Sequence, residues 1–153
     1  MFFLLVKWLH ILSAIVAVGA NVTYGIWIAR ASRERSVLPF VLRNIKLIDD
    51  RVANPCYGLL LLTGLIMAFI APIPILGTPW LLSGLVLYIV MGLIAALGYT
   101  PTLKRQIQTL DKDGFDSPAY RSVAKRSAQL GIALAVIVVI IVFLMVVKPA
   151  LWG

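Results

Sequence analysis

Apolar positions dominate four stretches of the chain, at about 2–29, 55–71, 80–100 and 128–147. No Asp, Glu, Lys or Arg occurs from Trp8 to Ala29, from Val52 to Leu103, or from Ser127 to Val147. A helix rising about 1.5 Å per residue crosses the hydrocarbon of a bilayer in roughly 20 residues. Each stretch is therefore predicted to be a membrane-spanning helix. The second is near the short limit, and the first is long enough to tilt or protrude. The pattern predicts an all-α membrane protein, a single domain over residues 1–153 folded as an up-down four-helix bundle.

The polar positions predict how the spans are joined. In the connection 30–54, Val41, Ile45, Ile48 and Val52 recur at helical spacing, with Arg43, Lys46 and Asp50 off that stripe. This is either an amphipathic helix at the membrane surface or an extension of the second span. Asn54-Pro55 predicts a break or kink between the two. Pro72-Ile73-Pro74 ends the second span, because proline has no amide donor and clashes with the preceding turn. Leu76 to Pro79 closes a short turn, predicting that spans two and three form a tight hairpin. Trp80 and Tyr99 flank the third span as an aromatic belt, and Pro101 ends it. Ser117-Pro118 is a helix start, with a capping hydroxyl and a proline in the first turn. That helix is expected to run through the fourth span, anchored at its far end by Lys148, Pro149 and Trp152. Gly84, Gly92 and Ala96, and likewise Ser127, Gly131 and Ala135, share helix faces and are predicted packing seams.

Composition agrees with a membrane protein. Of the 153 residues, 61% are apolar and 13% charged, against roughly 45–50% and roughly 25% in soluble domains. The net charge of +8 would suggest nucleic acid in a soluble protein, but its distribution points to lipid. Arg30, Arg33, Arg35, Arg43, Lys46 and Arg51 fall in the connection 30–54, and Lys104, Arg105, Lys112, Arg121, Lys125 and Arg126 in 101–127. The opposite face has only Lys7 and Lys148. The positive-inside rule makes these connections cytoplasmic loops and puts both termini outside, with anionic headgroups rather than nucleic acid as the partner of the basic residues. Met1 to Val6 carries no side-chain charge, unlike a cleaved signal, so the first span is expected to be retained. Cys56 has no partner cysteine in the chain and reads as a small buried residue. Asn21-Val22-Thr23 matches a glycosylation acceptor but falls inside a span, which makes the match fortuitous.

One polar stripe is the candidate for chemistry. Lys7, His10, Ala14, Ala17, Asn21 and Tyr24 follow alternating steps of three and four residues and share one face of the first span. Facing lipid would leave Lys7, His10 and Asn21 unpaired, so the stripe is expected to face the bundle. His10 is the chain's single histidine and has three readings: a hydrogen-bonded core histidine, an axial ligand of haem b, or a proton carrier or copper ligand. Methionine is an established axial partner of histidine on haem iron, and Met67 and Met145 sit at matching depth. Lys7, one turn above His10, can snorkel to headgroups, meet a haem propionate or ligate iron when deprotonated. No Ser-His-Asp set, phosphate loop or zinc spacing is present, which argues against an enzyme. The functional alternatives are a haem protein in electron transfer and a non-catalytic accessory subunit of a larger membrane complex or homo-oligomer. A small permease is disfavoured, because no span carries a carboxylate.

Lys7-Trp8-Leu9-His10-Ile11-Leu12 followed by Gly19, Thr63-Gly64-Leu65, and the closing Leu144-Met145-Val146-Val147-Lys148-Pro149 together resemble the predicted integral membrane proteins catalogued as domain of unknown function 2269. The resemblance covers nearly the whole chain and implies a multi-pass protein of the bacterial cytoplasmic membrane, with no assigned activity. The first helix is also similar to CopD-type copper-resistance proteins and to HemJ-type protoporphyrinogen oxidases, in which the matching histidine is linked to haem. That similarity carries over to His10, and with it Lys7. The additional histidines of a copper transporter are absent.

Overall fold

The computed structural model describes residues 1–71 and 73–151, and is helical throughout its ordered elements. Pro72 and Trp152, expected to help end the second span and anchor the fourth, lie outside the described residues. The elements are α1 (Phe2–Ala31), α2 (Leu38–Ile48), α3 (Asn54–Ile70), α4 (Pro79–Leu93), α5 (Thr100–Asp113) and α6 (Pro118–Val147). Two π-turns, Asp49–Ala53 and Ile94–Tyr99, join α2 to α3 and α4 to α5. The result is four continuous rods of 30, 33, 35 and 30 residues, each long and apolar enough to cross a membrane.

Each π-turn ends two residues before a proline, Pro55 and Pro101 respectively. Proline cannot donate to the carbonyl four residues back, and its ring collides with it. A local widening to π geometry lets the helix continue past that point. The helix end predicted at Pro101 is therefore replaced by a helix running on to Asp113. Likewise the connection 30–54 is a short turn followed by an extension of the second span, the second of its two predicted forms. Gly114, at φ +77°, finally stops α5 with a backbone conformation that favours glycine. Ser117 then caps α6 as predicted, its Oγ accepting from the Tyr120 amide at 3.1 Å.

Rods of 33 and 35 residues measure roughly 50 Å at about 1.5 Å per residue, well beyond the ~30 Å hydrocarbon. The excess is gathered at the basic end. There the end of α1, with α2, α5 and the start of α6, encloses a buried apolar cluster that includes Tyr24, Ala31, Leu38, Leu42, Ile45, Leu103, Leu110 and Tyr120. Arg35 bonds Asp116 at 2.7 Å and Arg43 bonds Asp111 at 2.8 Å, tying the two basic connections together at the exposed surface. Such exposed pairs contribute little; the apolar cluster is what holds this lobe.

The membrane part is looser. α1 packs on α3 and α4 packs on α6, with α1 also touching α6. The predicted tight hairpin of α3 and α4 does not form: among the described residues their backbones make no close approach, despite the short turn between them. The α4–α6 seam uses small residues, but only some of those predicted. Gly84 is buried beneath the Met145 methyl, Gly131 lies against Tyr99, and Gly98 faces Leu130. Gly92 has nothing within reach of a Cβ, and Ala96 and Ala135 border open space. Tyr99, expected in an interfacial belt, instead turns inward against Gly131.

Leu103→Ala is expected to lower stability by about 2–5 kcal/mol, because Leu103 is fully buried in the basic lobe. Leu97→Ala, on a strongly exposed position facing lipid, is expected to stay within about 0.5 kcal/mol. Denaturation midpoints in detergent check both. In a Cys56→Ser background, cysteines introduced at Ser36 and Lys112 are expected to react with a membrane-impermeant maleimide only after lysis. A cysteine at Leu76, exposed in the turn after α3, is expected to react in intact cells.

Candidate functional site

The buried face of α1 carries Val6, Ser13, Ala17, Tyr24 and Ala31, with His10, Ala14 and Asn21 half-buried beside them. The polar stripe does face the other helices. Its side chains serve two cavities stacked along the bundle.

The first cavity, near the chain termini, has a volume of about 550 Å³. His10, Lys7, Met67 and Met145 all line it, so the four cofactor candidates from three different helices come together. His10 Nδ1 lies 2.8 Å from Thr63 Oγ1 on α3. The Thr63 hydroxyl in turn donates to the Leu59 carbonyl at 2.6 Å. With its hydrogen committed there, the oxygen accepts from Nδ1–H, and the network assigns the tautomer whose Nε2 keeps a free lone pair. Gly64 provides the room: a Cβ there would stand 3.3 Å from His10 Cε1. At the rim, Lys148 sits in a left-handed conformation with φ +51° and places its ammonium 5.2 Å from the centroid of the Trp80 ring. Lys7 is exposed at the same cavity. The arrangement offers one imidazole nitrogen and the thioethers of Met67, Met91 and Met145 within apolar walls, and two ammonium groups at the mouth.

The second cavity lies toward the basic lobe and has a volume of about 1000 Å³. Tyr57 and Tyr88 border both cavities. Their rings meet edge to face at 6.4 Å, and Tyr88 OH donates to the Tyr57 carbonyl, the link between α3 and α4. Asn21 Nδ2 donates to Tyr57 OH at 2.5 Å, so the stripe also bonds to α3 at this level. Tyr24, the last member of the stripe, lines the second cavity with Asp49, Tyr99 and Gln106.

Sequence reasoning brought Lys7, His10, Met67, Met145, Asn21 and Tyr24 forward, and missed the groups that complete both sites. Thr63 and Gly64 showed no periodicity to mark them as the seat of an imidazole. Asp49 and Gln106 fell in polar connections that read as solvated. The continuation of the helices through Pro55 and Pro101 is what carries them inward. Among the described residues, no three His, Cys, Asp or Glu side chains group as a protein-only metal site.

Neither a curated protein nor a solved structure matches the chain. A match over residues 4–149 is made by the family described as predicted integral membrane protein (DUF2269). The four membrane-length helices and the near-complete coverage agree: the chain belongs to the DUF2269 family of predicted integral membrane proteins.

Proposed function

We propose that this chain is a haem-binding protein of the bacterial cytoplasmic membrane, with a redox or electron-transfer role and both termini outside. The observation that carries the reading is the convergence of His10, Met67, Met145 and Lys7 on one apolar cavity. Its volume of about 550 Å³ is within the roughly 300–1,000 Å³ of small-molecule and cofactor pockets.

The donor chemistry suits the group. An imidazole whose Nδ1–H is held by a hydroxyl is oriented and made more basic, as metal-bound histidines commonly are. His10 has that bond through Thr63. A thioether is the established sixth ligand beside histidine. Met67, Met91 and Met145 all line the cavity and are the thioethers that would serve, Met145 with its methyl packed onto Gly84. Lys7 and Lys148 at the mouth would supply cations for the two propionates, and the apolar walls would suit the ring. Bound haem would supply one-electron exchange; the chain's part is to ligate it, orient it and set its surroundings.

Protein purified from a haem-sufficient host, with no cofactor added, is expected to show a Soret band that shifts on reduction with dithionite. His10→Ala is expected to abolish the band while leaving a monodisperse protein. Colourless wild-type protein, or a band unchanged in His10→Ala, overturns the proposal. Thr63→Val removes the acceptor of Nδ1–H and is expected to weaken haem retention about 10–100-fold, read as transfer to apomyoglobin. Retention equal to wild type would exclude the orienting role of Thr63.

A further inference from the structure

The second cavity is built differently from the first. Asp49 is 6% exposed, Tyr24 5% and Gln106 2%. They come from the π-turn before α3, from α1 and from α5 respectively. Among the described residues, Tyr24 OH and Gln106 Oε1 have no hydrogen-bond partner. The Asp49 carboxyl has one, a long 3.4 Å bond from Asn54 Nδ2. Lys46, one turn away, has its ammonium bonded to Asp50 instead. Among the described residues no Lys, Arg or His lines the cavity, in a chain whose net charge is +8.

A nearly buried carboxylate without an ion partner is costly, and so is each buried polar atom left unbonded. An occupant that offsets the Asp49 charge must be positive, and seated in about 1000 Å³ of largely apolar space it must carry apolar groups as well; Tyr24 OH and Gln106 Oε1 are themselves enclosed by protein. The walls add a second indication. Four tyrosine rings, Tyr24, Tyr57, Tyr88 and Tyr99, line this one cavity. Aromatic faces attract desolvated ammonium groups, and rings around a carboxylate are the arrangement that recognises alkylammonium ions. An anion would be repelled by Asp49. A lipid or detergent tail would leave the carboxylate as unsatisfied as before.

We infer that the second cavity is a binding site for an organic ammonium ion, its charge held by Asp49 and its alkyl groups seated among the tyrosine rings. Asp49 is the charge partner, and Tyr99 closes the wall beside α6. The site is separate from His10 and does not rest on haem.

The test uses the full chain purified in detergent and benzyltrimethylammonium as probe, followed by isothermal titration calorimetry. Saturable binding at one site per chain is expected, unaffected in His10→Ala. Asp49→Asn, which keeps shape and removes charge, is expected to weaken it at least about tenfold. Tyr99→Leu is expected to weaken it about threefold or more, and Tyr99→Phe, which keeps the ring, to leave it nearly unchanged. The phenylalanine variant keeps the outcome readable should Asp49→Asn prove unstable. Absence of saturable binding to the wild type overturns the inference. So does equal binding by Asp49→Asn, or equal loss in Tyr99→Phe and Tyr99→Leu, because a water- or detergent-filled cavity is then sufficient.

Discussion

Hydrocarbon offers no hydrogen bonds, so a polar side chain that α1 carries into the bilayer gains from a partner within its own helix, as Ser13 and Thr23 find, or on another helix. That constraint organises the bundle. His10 is answered by Thr63 and Asn21 by the Tyr57 hydroxyl, both on α3. These two contacts fix the rotation of α1, and α1–α3 is the most extensive helix pairing in the molecule. Tyr88 extends the same logic to α4 through the Tyr57 carbonyl. Because lipid is as apolar as leucine, burial alone could not have selected these pairs.

The same argument explains the uneven packing. Where the rods leave the bilayer, water restores the hydrophobic effect, and a buried cluster around Leu38, Leu42 and Leu103 forms. Inside the bilayer that driving force is missing. Small residues bring α4 against α6, while α3 and α4 stay apart and two cavities remain between the helices. The basic lobe thus acts as the rigid base from which a more open membrane part is held. The fold thus combines a packed core at one end with open space between its membrane helices.

Much of this was legible in the sequence. Runs without charge located all four membrane helices, Ser117-Pro118 located the start of α6, and the three- and four-residue steps of the α1 stripe identified its inward face. The long reach of the helices was not legible, because Pro55 and Pro101 read locally as terminators, while a π-turn before each absorbs the missing hydrogen bond. Pairing between helices was also beyond periodicity. A stripe shows which face of α1 is buried and carries no information on which hydroxyl of α3 it meets. For that reason Met67 and Met145 were found by depth along the helices. Thr63 entered the sequence reading only within a family motif, and its bond to His10, like the burial of Asp49 and Gln106, emerged only once the rods were set side by side.

The account depends on α1 being bonded to α3 through its polar stripe, and the Asn21–Tyr57 pair tests this without involving any cofactor. The direct measurement is a double-mutant cycle with Asn21→Ala and Tyr57→Phe, read from unfolding free energies in detergent. The structure predicts a coupling of about 0.5–1.5 kcal/mol, the range of interhelical hydrogen bonds in membranes. Effects that simply add, within about 0.3 kcal/mol, would mean that the two side chains do not meet and would contradict the packing of α1 described above.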